Sequence, residues 1–320
     1  MSKTSSLKST FPLYKYPIQI FVFLMLIVFL TFVSQSVQNQ LYLYFVPSII
    51  AFAFLTLVTP WVAQYLRKTF LSLYSTICQL TESGNQEWFD QYDHFIFGAN
   101  RWSILVAILV AIGGEITNYY LAWGLWSGFA KAIFFLQIGV LFGILGFLGW
   151  AYLGILIFAY HLRDLKFDLE PFETKKEEFA KLNSSFLGIF GSGIILYIGA
   201  LIAAWLVTGP YILDIPLLQL WIPPFAIAVI SFFLLIQVFL HEVMKKAKNI
   251  RINKMNTLMR QYFREWEKTK SSDQSTQINN LLGWKEKIEK ESDWPFDVLT
   301  VISVVVTIFL PAVRAILELL

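Results

Sequence analysis

Seven long apolar runs, separated by segments that hold nearly all the charge, decide what this chain can fold into. They lie near residues 17–36, 43–66, 102–124, 131–160, 186–208, 220–241 and 297–319. Each is long enough to cross a hydrocarbon core roughly 30 Å thick, which takes about 20 residues of helix. Unpaired backbone amides are not tolerated in hydrocarbon, so such runs are predicted to be helical. Of 320 residues, 57% are hydrophobic and only 15% charged, against roughly a quarter charged in soluble domains. The predicted fold class is an all-α polytopic membrane protein with about seven transmembrane helices.

Charge sets the orientation. The loops SQSVQNQLY, WGLWSGF and VTGPYILDIPLLQ hold one formal charge, Asp214. The opposite connections carry Arg67, Lys68, Arg101, Arg163, Lys166, Lys175, Lys176, Lys181 and a dense basic region from Lys245 to Lys270. The positive-inside rule then predicts a cytoplasmic N-terminus and cytoplasmic large linkers in a cell (inner or plasma) membrane, with the C-terminus outside. The start of the chain, with Lys3, Lys8 and Lys15 before the run from Ile18 to Val33, superficially copies a signal peptide. A retained first helix is expected, because the run is long and no small-x-small cleavage site follows it. Cys78 is the single cysteine, which excludes an internal disulfide. Four regions follow: a cytoplasmic tail 1–16, a six-helix transmembrane domain 17–241 with inserts 67–100 and 161–185, a cytoplasmic helical assembly region 242–296, and a terminal transmembrane helix 297–320.

Insert 67–100 is predicted to extend the second helix to near Ser83 and Gly84 and to add a short helix. Insert 161–185 reads as a charged turn around Pro171 with a lead-in helix. The sixth run continues through HEVMKKAKNIRINKMNTLMRQYFREWEK without Gly or Pro, predicting a helix on the order of 70 Å long from Leu220 to Lys268. Along it Met255, Leu258, Met259, Tyr262 and Trp266 recur at helical spacing and form an apolar stripe. After a polar linker, SSDQSTQ, residues Ile278, Leu281, Leu282 and Ile288 suit a second helix packed on that stripe. The stripe residues with Leu281, Leu282 and Ile288 are the candidates for subunit assembly. The competing reading of a basic amphipathic helix is that it lies on lipid.

Two polar constellations sit inside apolar runs. In the terminal run, Thr300, Ser303, Thr307, Pro311, Arg314 and Glu318 share a wedge of about 80° on an ideal helix. Such a stripe must face protein or water, which makes Thr300, Ser303, Thr307, Arg314 and Glu318 candidate pore-lining residues. Alternatively the hydroxyls bond their own carbonyls while Arg314 and Glu318 snorkel to headgroups. In the third run, AIGGEITNYY carries Glu115, which lies at nearly the same outer depth as Arg314 by residue counting. A Glu115–Arg314 contact is the expectation, with Lys131 as the competing partner and with Asn118 and Tyr119 on the Glu115 face. Gly139, Gly143, Gly146, Gly149 and Gly154 in the fourth run fall within about 140° of arc. They predict close helix packing, as do Gly188, Gly191, Gly193 and Gly199 in the fifth.

Enzyme signatures are lacking. His94, His161 and His241 fall at or beyond span ends, so an intramembrane serine dyad has no base, and no phosphate-binding loop or zinc-protease motif occurs. No cofactor is predicted, scattered histidines favour solvated interface positions over a metal site, and the lack of an extended basic domain argues against nucleic acid. The expected partners are the lipid bilayer, further copies of the chain and small ions.

The order of parts resembles that of the insect chemoreceptor cation channels: inward N-terminus, seven spans, a long sixth helix, a cytoplasmic helix and a pore-lining last helix. The resemblance covers organisation. The Thr-Tyr…Gln-Phe signature of that group is replaced here by Thr300-Val301 and Thr307-Ile308. It implies an oligomeric ion channel. Two alternatives come from other classes: a secondary transporter using Glu115, and a non-transporting anchor or signalling subunit whose helical region binds a partner.

Overall fold

A computed structural model describes residues 45–81, 86–122, 128–165, 167, 172–208, 216–270 and 272–290, with isolated helical positions between 19 and 29. The predicted tail 1–16 and the terminal run lie outside the described residues. In chain order the helices are α1 (Phe45–Leu80), α2 (Gln86–Phe97), α3 (Arg101–Ala122), α4 (Gly128–His161), α5 (Phe172–Thr208), α6 (Pro216–Thr269) and α7 (Ser272–Lys290). A window long and apolar enough to cross a membrane occurs within each of three helical segments, Ile138–Asp164 (α4 and the turn after it), Glu177–Gly199 in α5 and Ile227–Lys268 in α6. The protein is helical and membrane-embedded.

Local sequence explains most boundaries. Pro171 precedes α5, whose lead-in segment and apolar segment form one uninterrupted helix. Asn100 starts α3: its side-chain oxygen accepts from the Trp102 and Ser103 amides at 2.9 Å each, and Ser103 Oγ accepts from the Asn100 amide at 3.1 Å. This reciprocal cap satisfies amides that have no partner within the helix. One expectation needs correction: SSDQSTQ is not a linker, since α7 begins at Ser272. Ser272 and Asp273 suit the first turn of a helix, where free amides and the positive dipole end accept oxygen and negative charge. The chain reverses instead at Lys270, whose φ of 47° lies in the left-handed region and whose amide bonds back to the Trp266 carbonyl.

The main seam joins α1 to α5. Val62, Leu66, Phe70, Leu73, Ile77 and Leu80 on α1 recur at spacings of three and four, as do Phe179, Leu182, Phe186 and Ile189 on α5, and all are buried. That spacing keeps one face of each helix turned to the other along its length. The pair is antiparallel: Phe54 of α1 stands beside Gly199, Tyr65 beside Gly188, and Thr81 bridges to Phe167 just ahead of α5.

The second seam, between α3 and α4, is made by glycine. A Cβ on Gly146 would stand 2.6 Å from the Ala107 backbone, one on Gly143 lies 3.9 Å from Ala111, and one on Gly139 falls 2.7 Å from Glu115. From the other side, a Cβ on Gly114 would strike the Phe142 ring. The α4 glycines thus serve close approach. Gly154 meets Ile96 of α2 instead, and Gly149 faces open space.

Burial changes character along the helices. Between Phe54 and Tyr65 on α1, and from Trp102 to Ile116 on α3, large apolar side chains point outward. Beyond Arg67, Phe70, Leu73, Ile77 and Leu80 of α1 are buried while Leu71 stays exposed, and this end of α1 meets α2. There Phe70 stacks on Phe89 at 4.9 Å and meets Phe158 edge-on at 4.9 Å, while Trp88 packs on Phe158 at 5.1 Å. Outward apolar surface suits lipid, and inward apolar surface suits water. The change occurs at the end of the bundle that carries Arg67, Arg101 and Arg163.

The glycine seam makes a contrast between two neighbouring positions. Gly146→Ala forces backbone apart and is expected to cost about 1–3 kcal/mol, seen as a lower Tm in detergent. Gly149→Ala, with space around it and better helix propensity, is expected to be neutral or slightly stabilising. Equal losses in the two variants contradict this seam.

Candidate functional site

Three places bring polar or unsatisfied groups together. The first is the junction of α1, α2 and α4 at the basic end. Arg67 Nη2 lies 3.8 Å from Asp93 Oδ2, with the two side chains only 10% and 6% exposed. Asp93 Oδ1 is buried and accepts no hydrogen bond among the described residues. Burial pushes the Asp93 carboxyl above the ordinary carboxylate range, Arg67 pulls it down, Asp90 adds to the rise and His94 opposes it. Ion-pair geometry and raised affinity for a proton point opposite ways here. The desolvation wins because a single contact at 3.8 Å recovers little of what a buried carboxylate loses. Nearby, Trp150 Nε1 and Asn100 Nδ2 both donate to the Phe95 carbonyl, at 3.0 and 2.7 Å, and tie the α2–α3 corner to α4.

The second place is Glu115. On α3 its carboxylate leans on the Gly139 backbone of α4, in space left by the missing side chain. Oε2 is buried with no hydrogen-bond partner among the described residues. Asn118 and Tyr119 lie on the same helix, but their side chains, like those of Lys131 and Arg314, lie outside the described residues, as do Thr300, Ser303, Thr307, Pro311 and Glu318. Toward the basic end, Tyr152 Oη on α4 and Ser192 Oγ on α5 are 2.6 Å apart, and Ser192 donates to the Ile189 carbonyl at 2.6 Å. Gln237 on α6 and Asn183 on α5 are buried, each with a side-chain oxygen lacking a hydrogen bond among the described residues. Gln237 is hidden in the sequence by the apolar run around it. Its signal is a lone amide within SFFLLIQVFLHE.

The third place is the hairpin of α6 and α7. Met259, Ile278 and Ile288 are buried and Met255, Tyr262 and Leu281 half-buried, forming its seam, and Lys248 Nζ donates across it to the Glu289 carbonyl at 3.0 Å. Leu258, Trp266 and Leu282 remain exposed. So do Phe263 and Trp284, which sequence reading left out. Their signal is an aromatic residue beside the stripe, on a face otherwise polar.

The histidines do not gather. Among the described residues no group of three or more His, Cys, Asp or Glu could hold a metal ion. His161 Nδ1 sits 2.9 Å from the Ile157 carbonyl of its own helix. No known protein family, no curated protein and no solved structure matches the chain.

The Asp93 environment has a testable sign. Its folded pKa is raised, so its contribution to stability is fullest below the ordinary carboxylate value of about 3.9 and is lost as pH rises through the native value. Asp93→Asn is therefore expected to flatten the fall of Tm across that window. A Tm–pH profile unchanged by the substitution contradicts the assignment.

Proposed function

We propose that the chain is a subunit of an oligomeric membrane ion channel, with the terminal run 297–319 lining the pathway and the α6–α7 hairpin holding subunits together. The N-terminus and large linkers are assigned to the cytoplasm of an inner or plasma membrane, from the charge asymmetry of the loops. One observation carries the reading. The hairpin closes its own seam and still exposes Leu258, Phe263, Trp266, Leu282 and Trp284 beyond the apolar part of α6. Apolar surface there fits a further protein surface better than water.

The polar stripe of the terminal run supplies the pathway in this reading. Thr300, Ser303 and Thr307 would face a shared axis, and Arg314 and Glu318 its outer mouth. Glu115 adds support for a joint between the third and terminal spans. A carboxylate in an apolar span costs roughly 2.5–3.5 kcal/mol on insertion scales, so a buried oxygen with no hydrogen-bond partner among the described residues invites a basic side chain such as Arg314. The same oxygen favours a second reading, a secondary transporter in which Glu115 takes up a proton or cation.

Planar-bilayer recording of the purified protein separates these. Channel activity is expected in the unmodified protein and at least a tenfold drop in conductance, on the order of steric occlusion, in Ser303→Trp and Thr307→Trp. Unaltered currents in both variants remove the terminal run from the pathway. Cation-coupled uptake into vesicles that vanishes in Glu115→Gln, without single-channel steps, favours the transporter. Absence of both activities leaves a membrane anchor or signalling subunit.

A further inference from the structure

Four exposed apolar residues of the hairpin divide between two flanks, while Ile250 lies on the face away from the seam and Trp266 at the seam's end. In α6 the seam residues Met255, Met259 and Tyr262 follow a three–four repeat that the exposed Trp266 continues, and in α7 so do Ile278, Leu281, Lys285 and Ile288. With seven residues to every two turns, Leu258 and Phe263 fall on opposite sides of the α6 seam, and Trp284 and Leu282 on opposite sides of the α7 seam. The two helices are antiparallel, as the Lys248–Glu289 contact and the short turn at Lys270 fix. Antiparallel pairing puts Leu258 and Trp284 on one flank, and Phe263 and Leu282 on the other. Their exposures are 38%, 50%, 45% and 45% respectively.

Lipid does not reach these flanks. Heights counted along α6, with α7 placed by the Lys248–Glu289 contact, put the four side chains about 18 to 33 Å beyond His241, the end of the apolar part of the helix. Even at a tilt of about 40° the nearest keeps roughly 14 Å. The headgroup zone adds only about 5–8 Å to each side of the hydrocarbon core.

A second copy of the chain in the same membrane fits. Copies share one orientation, so every hairpin projects the same way and presents its flanks at the same height. The Leu258–Trp284 pair and the Phe263–Leu282 pair are centred within about 5 Å of each other along the axis. Charge distinguishes between the two ways they can meet. Arg251 stands one heptad before Leu258 and Glu265 one heptad after it on the first flank, and Glu289, 3.7 Å from Lys285 of its own helix, stands one heptad after Leu282 on the second; Arg251 and Glu289 are again at heights within about 5 Å. Pairing a flank with its own copy sets Arg251 against Arg251 or Glu289 against Glu289. Pairing unlike flanks sets arginine against glutamate.

We infer that the hairpin is a two-sided connector: the Leu258–Trp284 flank of one subunit packs on the Phe263–Leu282 flank of the next, joining copies head to tail into a closed ring. A heterologous contact between unlike surfaces closes into a ring when the rotation permits, and copies held in one plane of membrane supply that rotation axis. The inference rests on the oligomeric part of the proposed function and is independent of conduction.

Cross-linking in membranes with a short bis-maleimide tests it, in a Cys78→Ala background that removes the exposed native thiol. The single variants Leu258→Cys and Leu282→Cys are expected to stay uncross-linked, because like flanks do not meet. The double variant is expected to give dimers, trimers and larger bands, with at least a tenfold gain in cross-linked product over either single variant. Arg251→Cys with Glu289→Cys, which lie on unlike flanks at heights within about 5 Å, serves as a second double variant should the first fold poorly. Dimers that stop at two from a single variant overturn the ring and replace it with a two-fold contact. Native mass measurement of the uncross-linked particle separates the remaining failures. An oligomer whose flanks never cross-link overturns the connector alone, whereas a monomer overturns both it and the oligomeric reading.

Discussion

The contact between α1 and α5 governs the arrangement of everything else. It runs from Phe54 beside Gly199 to Leu80, near the bridge of Thr81 to Phe167, and so passes through the apolar band and beyond it without changing partner. A seam of this kind works in both media. Inside lipid it packs by shape and by small residues, since hydrocarbon offers no hydrophobic drive between helices. Past Arg67 the same repeat buries Phe70, Leu73, Ile77 and Leu80 from water, where the hydrophobic effect adds to packing. The aromatic cluster of Phe70, Phe89 and Phe158 is anchored there, and through Phe158 it fixes α4. The α4 glycines then hold α3, and Tyr152 with Ser192 ties α4 back to α5.

How much of this could be read from the sequence depended on which physical signal was present. Apolar length located α1, α3, α4, α5 and the start of α6, because a hydrocarbon core imposes a minimum run. Pro171 and the basic exit of each span marked where helices begin or leave the band. The wedge of glycines on α4 was legible as a packing face, yet its circumference cannot tell which neighbour fills it: Gly146 meets α3, Gly154 meets α2 and Gly149 meets neither. The SSDQSTQ segment was misread because polar composition is shared by linkers and by first helical turns. The decisive feature, a left-handed Lys270, leaves no mark in composition.

The candidate sites were legible to differing degrees. Glu115 stood out because an acid in an apolar run is costly, and the structure sets it over Gly139, a contact that residue counting from Arg101 could not supply. The Arg67–Asp93 pair was hidden, since each residue looked like part of an ordinary charged connection and only the fold buries them together. The stripe on α6 was legible as apolar from its helical spacing, although Leu258 and Trp266 within it stay exposed. What it could not show was that α7 consumes Met255, Met259 and Tyr262 and leaves Phe263 and Trp284 outside.

The proposed projecting hairpin requires one change of environment, at His241 on α6, from an outward face in lipid to an outward face in water. Single cysteines placed along α6 and challenged in intact membranes with a water-soluble maleimide measure it directly. Positions 234 and 238 should resist the reagent, and positions 246, 253 and 260 should react at rates near those of a free thiol. Protection that continues through residue 260 on every face, in a particle shown to be monomeric, would mean that this segment lies in or on the bilayer and would contradict the projecting hairpin.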